Sequence, residues 1–443
     1  VRLTQNSIAL DAWTPIEAEV TRRLGARLDP TSRAPVAIAL SGGGDSVALL
    51  LAARRWAMGV GRDLICLTVE HGLSPRSGDW AATCAERARR LGLAHRILAW
   101  TDAKPAAGLA SAAREARHRL LARAAREAGA RVILIGHTAD DRLEARTMRA
   151  LGCSVSEPKA WSPSPAWPEG RGVFLSRPLI DVRRAAIRRG LAERGETWLD
   201  DPANVDEASS RARVRRTIAD GGEPGRASEP AAASILYRAA TVGWAGDVRL
   251  PLDATREVSA PSRKRFLSAA VVCAGGGVSL PRGAALDRLW DRLAAGERGA
   301  ATLAGARVEC DGDVLRFMRD DGALLAARSP QSVGGVFDGR HEIDPLSDVF
   351  AMGGHLARLD RRQREALKPL PPPARRALPA MRREDGSIAC PLLEGGGRSL
   401  VADRLAAACG VYTVEAAIGR VGETPSGALD RSASIERTVH EHA

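Results

Sequence analysis

The sequence has no Cys-x-x-Cys pair. Its seven cysteines (Cys66, Cys84, Cys153, Cys273, Cys310, Cys390 and Cys409) are scattered and odd in number. That argues against a disulfide framework, a zinc knuckle or an iron–sulfur site. Isolated cysteines of this kind behave as small buried hydrophobes. No run is long and apolar enough to cross a bilayer, and no basic stretch leads into an apolar core near residue 1. These absences predict a soluble, cytoplasmic protein that does not engage a membrane. Lysine is scarce. Only Lys104, Lys159, Lys264 and Lys368 stand among 65 basic residues, so arginine carries the formal charge of +12. A basic balance favours a polyanionic partner such as nucleic acid, although an arginine- and alanine-rich composition also follows from genomic base composition. No internal repeat is visible. The 443 residues, 45% of them hydrophobic, can build real cores in two or three domains.

What the sequence does have is a glycine turn set between a strand and a helix. Residues 36–40 are an apolar run of strand length. Ser41, Gly42, Gly43, Gly44, Asp45 and Ser46 follow, and residues 47–56 read as the first turns of an alanine-rich helix. Glycine lets the backbone curl until several N–H groups point at one phosphate. The helix N-terminus adds its dipole, and the two serines offer hydroxyl donors. Asp45 suits a helix N-cap. Beside a triphosphate it also suits Mg²⁺, which takes one or two carboxylates plus phosphate oxygens. No Gly-Lys-Ser/Thr follows, so the loop is not a Walker A motif.

Strand-like and helix-like segments then alternate. Helices are predicted over 14–28, 79–91, 109–128 and 140–151, and strands over 36–40, 64–69, 95–100 and 132–135. This spacing predicts an α/β fold with a parallel sheet and helices on both faces. Ligands in such sheets sit at the carboxyl ends of the strands. The 41–46 loop, the turn at His71 and the turn at His137 all fall there. Residues 153–172 carry four prolines and two tryptophans and read as an irregular surface segment, a candidate flap. An extended piece over 174–179 and a basic helix over 185–194 follow. Residues 198–204 have turn chemistry.

Residues 221–230 read as a linker. Helices are expected at 231–240, 261–272, 283–293 and 399–410, with strand texture at 301–319 and 334–346. The prolines at 371–373 read as a separator, and the chain from residue 422 as a frayed tail. The expected division is a catalytic domain over 1–222, a helical substrate-binding domain over 223–298, a small α+β region over 299–421 and a tail over 422–443.

Three further constellations carry chemistry. In Gly136-His137-Thr138-Ala139-Asp140-Asp141-Arg142-Leu143-Glu144, Asp141 and Glu144 share a helix face. With His137 they could hold a cationic amine and manage its proton. An acid-rich helix start is the plainer alternative. Arg114 and Arg117 also share a face, suited to a phosphate or a nucleotide base, or simply solvated. Arg211, Arg213, Arg215 and Arg216 could contact RNA phosphates or a substrate carboxylate, or form a basic surface.

The 41–46 string resembles the pyrophosphate loop of the N-type ATP pyrophosphatases, which split ATP between the α and β phosphates and activate a carbonyl oxygen as its adenylate. Taken in order with His71-Gly72-Leu73, Arg114/Arg117, the Gly136 to Glu144 turn, Trp198-Leu199-Asp200-Asp201-Pro202-Ala203-Asn204 and Arg211/Arg215, it resembles the tRNA(Ile)-lysidine synthetase family. The resemblance covers about half the chain. Beyond residue 222 it weakens to Leu303-Ala304-Gly305-Ala306-Arg307 and Phe337-Asp338-Gly339-Arg340, which are similar to the small C-terminal domains of longer members. It implies a Rossmann-like catalytic domain that uses ATP and Mg²⁺ to adenylate C2 of the wobble cytidine in a CAU-anticodon tRNA(Ile). Free L-lysine then displaces AMP.

The resemblance also implies site roles. Ser41 to Ser46 and His71 would bind ATP, with Asp45 near the metal. Arg114 or Arg117 would face the adenylate or the cytidine. Asp141 and Glu144 would hold the lysine amine, oriented by His137, and Arg211 or Arg215 would meet lysine or tRNA. A homodimer stays open. Arg142, Ala145 and Ala212 stand where the family usually has Gln, Thr and Asn, and the 153–172 segment replaces a leucine-rich stretch. The alternatives are a tRNA thiolase on the same fold, a non-catalytic tRNA-binding protein and an amidotransferase-type synthetase, although no attached glutaminase is visible.

Overall fold

A computed structural model describes residues 11–153, 155–200, 214, 233–295, 297–326, 332–344 and 348–418. The expectations for Arg211, Ala212, Arg213, Arg215, Arg216, residues 201–204, the 221–230 linker and the tail lie outside those residues. The chain divides into two compact units. One runs to Pro230 and takes in Thr413–Ile418; the other includes Ala231–Tyr412. No helix among the described residues is long and apolar enough to cross a membrane.

The first unit is built on a six-stranded sheet. Its strands are β1 (Val36–Ala39), β2 (Leu64–Glu70), β3 (Ala94–Ala99), β4 (Val132–Leu134), β5 (Trp161–Pro163) and β6 (Phe174–Ser176), in the order β3-β2-β1-β4-β6-β5. All neighbours are parallel except β5 and β6. Period-two alternation sorts β1 between two cores. Val36, Ile38 and Leu40 join Ile16, Val20, Leu49 and Leu50 on one face, whereas Ala37 joins Leu67, Leu121 and Ile133 on the other. The first face is covered by α1 (Thr14–Arg27) and α2 (Gly44–Val60). α3 (Ser77–Arg90) links β2 to β3, and the second face carries α4 (Leu109–Glu127). Both faces of β1 are therefore dry, as a central parallel strand requires.

The chain steps outward from β1 to β2 to β3 and then returns to β4 on the opposite side of β1. Such a reversal opens a crevice at the carboxyl ends of the two flanking strands. Here those strands are β1 and β4, and the crevice lies between the 41–46 loop and the turn at His137.

The 153–172 segment is fastened, in contrast to the flap read from its sequence. Its residues 161–163 pair antiparallel with β6, and Trp161 stacks on Phe174 with centroids 5.2 Å apart. Proline is tolerated there because β5 is an edge strand. Glu157 accepts from Arg142 Nε (3.1 Å), Arg146 Nε (3.1 Å) and Arg149 Nη2 (2.8 Å). The three arginines lie on α5 (Ala139–Ala150). Arg142 is fully buried, and its Nη1 also reaches Asp181 Oδ1 at 2.6 Å. Two of the four departures from the family pattern, Arg142 and the proline/tryptophan segment, thus contact each other through Glu157.

In the second unit, β7 (Thr241–Val242), β8 (Val248–Pro251), β9 (Gly299–Leu303), β10 (Ala306–Cys310) and β11 (Val314–Arg319) form an antiparallel sheet ordered β7-β8-β11-β10-β9. It takes strands from both sides of residue 298. Phe266 and Leu267 of the helix Ala260–Gly275 and Leu405 of the helix Val401–Cys409 share its core. Two smaller sheets follow, of four and three strands. Arg319 joins the two C-terminal motifs, donating to the Gly305 carbonyl at 2.8 Å and to Asp338 at 2.8 and 3.1 Å. The prolines at 371–373 stand at the break after the helix Arg361–Leu367. They open the short helix Pro372–Arg376, where proline has no N–H to lose.

Thr413–Ile418 belongs to the first unit although nearly two hundred residues of the second precede it in sequence. Arg62 and Glu415 form a buried ion pair at 2.9 Å, with side chains 1% and 3% exposed. Arg62 also donates to the carbonyls of Asp29 and Ala34. Arg131 Nη1 donates to the Ile418 carbonyl at 2.6 Å. Removing one partner of such a pair strands the other charge. Glu415→Ala is therefore expected to lower the stability of the first unit by about 3–5 kcal/mol, read from the urea midpoint. A loss under about 1 kcal/mol would show that water reaches Arg62.

Candidate active site

The turn after β1 is shaped by close contacts. Gly42 has φ of +82°, and a Cβ there would lie 2.5 Å from Leu199 Cδ1 and 3.1 Å from Cys84 Sγ. Leu199 N–H donates to the Gly42 carbonyl at 2.9 Å, and Gly44 faces the Trp198 ring. Trp198 and Leu199 therefore back the loop. Ser46 Oγ donates to the Gly43 carbonyl (2.8 Å) and accepts from Ser41 N–H (3.3 Å) and Ser41 Oγ–H (3.2 Å). The hydroxyls brace the turn from within. The first amides of α2 have no acceptor inside the helix, and with the helix dipole they suit an anion.

The turn after β4 touches this loop. A Cβ on Gly136 would come within 3.1 Å of the Asp45 carbonyl and the Ser46 nitrogen. Glycine lets the two backbones approach. His137 comes next, and Arg177 Nε donates to its Nδ1 at 2.9 Å. A guanidinium only donates, so Nδ1 carries the lone pair and the proton of neutral His137 sits on Nε2. Thr138 N–H and Oγ–H both donate to Asp141 Oδ2, at 2.8 and 2.9 Å. Asp141 thus ties down the start of α5, while its neighbour on the same face, Glu144, is 1% exposed.

Three carboxylates converge on Arg184, the first residue of α6 (Arg184–Glu193). Its Nε donates to Asp45 Oδ2 (3.0 Å), its Nη1 to Glu144 Oε1 (3.3 Å) and its Nη2 to Asp141 Oδ2 (3.4 Å). Its backbone N–H donates to Asp140 Oδ2 at 2.7 Å. Burial raises the Asp45 carboxyl above its ordinary range despite Arg184. Burial works against the charge of Arg184 as well, but Asp141, Asp45 and Glu144 outweigh it and hold the guanidinium protonated.

The neighbouring part of the same sheet edge is basic. Arg114 is exposed and Arg117 half-buried on α4. Burial, then Arg114 and Arg117, bring Arg177 down to about 10. Burial, then Arg117, Arg114 and Arg177, bring His118 down to about 3, so it stays neutral. His71 lies just beyond β2, edge-on to Trp100 at 6.1 Å. Burial, then Arg117 and Lys104, lower its pKa. The edge therefore presents a basic part beside an acidic part that holds one internal cation.

Asp45, His137, Asp141 and Glu144 meet around the loop, and Arg114 and Arg117 bear on the same edge through Arg177. Among the described residues no group of three His, Cys, Asp or Glu side chains could hold a metal. Mg²⁺ bound chiefly through phosphate oxygens needs only one protein carboxylate beside the loop, and Asp45 is the residue that could supply it. Arg177 and Arg184 are site residues that the sequence analysis passed over. The signal was present, since Arg177 directly follows a strand that runs parallel to β1.

A family model described as a PP-loop domain matches residues 16–221. The tRNA(Ile)-lysidine synthase of Caulobacter vibrioides is 45% identical over 416 residues, covering 90% of this chain and 98% of that protein. The tRNA(Ile)-lysidine synthase of Hyphomonas neptunium is 36% identical, covering 66% of this chain and 84% of that protein. Among solved structures, a U34-tRNA thiolase from Methanococcus maripaludis aligns with a TM-score of 0.40 and 19% identity, covering 47% of this chain and 73% of that one. With a phosphate loop at the β1/β4 crevice and one relative matched almost end to end, the chain belongs to the tRNA(Ile)-lysidine synthase family.

Proposed function

We propose that this chain acts in the cytoplasm as a carbon–nitrogen ligase that makes lysidine at the wobble cytidine of a CAU-anticodon tRNA(Ile). ATP adenylates the C2 oxygen and pyrophosphate leaves. The amine of free lysine attacks C2, the C2–O bond breaks and AMP departs. The modified base then pairs with A in place of G. One observation carries the reading: Asp141 and Glu144, both buried, already hold a cation beside a phosphate loop.

The amides of Gly42 to Asp45 would hold the pyrophosphate, with Ser41 and Ser46 keeping the turn in shape and His71 near the nucleotide. Asp45 would hold Mg²⁺, which supplies countercharge to the leaving phosphates. Arg114 and Arg117 would face the adenylate or the cytidine. Asp141 and Glu144 would bind the lysine ammonium, and Glu144 would take its proton before attack. His137 would present its Nε2–H to this site. Arg211 and Arg215 would meet the lysine carboxylate or the tRNA backbone.

Sulfur transfer is the less favoured chemistry. Cys84 packs behind Gly42, but burial raises its thiol pKa, and burial lifts Cys66 to about 12. Neither offers a thiolate nucleophile.

The two half-reactions separate on two variants. Asp45→Ala is expected to cut tRNA-dependent pyrophosphate release at least 100-fold while tRNA binding persists. Glu144→Gln is expected to retain pyrophosphate release but slow lysine transfer at least 100-fold. Lysine transfer at the wild-type rate by Glu144→Gln would remove that residue from the amine site.

A further inference from the structure

Arg184 occupies the place that the proposed reading gives to the substrate amine. Its guanidinium faces Asp141 and Glu144, the two carboxylates that would receive the lysine ammonium. Two cations cannot share those oxygens at about 3 Å without strong repulsion. Its third partner is Asp45, inside the phosphate loop itself. One side chain therefore touches both substrate sites.

The contacts suit an exchangeable cation. They run from 3.0 to 3.4 Å, and each links a different guanidinium nitrogen to a different carboxylate. None is the bidentate fork that makes arginine–carboxylate pairs strong. The side chain is 21% exposed, at the end of a long flexible stem. A triphosphate on the 41–46 loop would place several negative charges beside Asp45, and arginine matches phosphate geometry well. Turning toward it would free Asp141 and Glu144.

We propose that Arg184 couples the two small-molecule sites, blocking the amine site while the phosphate loop is empty and releasing it when ATP binds. The inference rests on the reading of Asp141 and Glu144 as the lysine site. Because coupling free energy is reciprocal, lysine must tighten nucleotide binding by the same factor. The coupling makes binding ordered in effect: lysine fills its site mainly on enzyme already charged with ATP.

The test is calorimetric titration of the full chain with free L-lysine, with and without α,β-methylene-ATP and Mg²⁺. Lysine is expected to bind at least about 5-fold tighter with the analogue, within the usual range of coupled sites. The analogue should gain the same factor from lysine. Arg184→Gln should reduce the ratio to below about 2-fold, because lysine now binds the empty enzyme well. Arg184→Lys should fall between. A purely structural role would weaken both states alike and leave the ratio unchanged, and that result would overturn the proposal. Equal lysine affinity in the wild type with and without the analogue would overturn it too, and this arm needs no variant to fold. If lysine binds in neither state while tRNA is still adenylated, the amine-site reading fails and takes the coupling with it. If lysine transfer proceeds but the ratio is one, the coupling alone fails.

Discussion

Asp45, Asp141 and Glu144 are largely buried at one sheet edge, and three carboxylates so close together call for a cation among them. Removing each charge from water costs several kcal/mol before any partner is counted. The fold supplies Arg184, whose backbone is fixed by Asp140 and whose guanidinium lies among the other three carboxylates. Much of the first unit serves this arrangement. β1 brings Asp45, β4 brings the turn that leads into Asp141 and Glu144, and β6 leads to the start of α6. The same electrostatic demand that holds Arg184 would let an incoming ammonium compete for the acids.

Backbone approach sets the geometry around those charges. The Asp45 loop and the Gly136 turn come so close that a single methyl group on Gly136 would press on the Asp45 carbonyl. Gly42 is packed in the same way against Leu199. The phosphate loop is thus enclosed by the turn of the neighbouring strand and by Trp198 and Leu199. Its serine hydroxyls bond within the turn, and the amides at the start of α2 are what it has to offer an anion.

Much of this was legible in the sequence because the signals are local. The strand–glycine–helix string at 36–56, the alternation out to α5 and the three-residue spacing of Asp141 and Glu144 are patterns within a few residues. Arg184 was not legible as a site residue, because its partners Asp45 and Glu144 lie 139 and 40 residues away. Glu415 lies 353 residues from Arg62, and nothing near it in sequence marks it as part of the first unit. The 161–163 strand was hidden by its prolines, which an edge position tolerates. Arg142 stands where the family usually has Gln. In the structure it is a buried tie to Glu157, 15 residues further along the chain.

Lysine reaches tRNA through an adenylate in the proposed reaction, and transfer of labelled lysine is the direct measurement of that step. The wild-type chain would be incubated with ATP, Mg²⁺, labelled L-lysine and a CAU-anticodon tRNA(Ile) transcript, with initiator tRNA(Met), which shares the anticodon, as control. Acid-stable label on the isoleucine tRNA alone, with AMP and pyrophosphate formed in step, is the predicted result. Pyrophosphate release without lysine incorporation would contradict the assignment of Asp141 and Glu144 to lysine. Tight tRNA binding with neither product would contradict catalysis altogether.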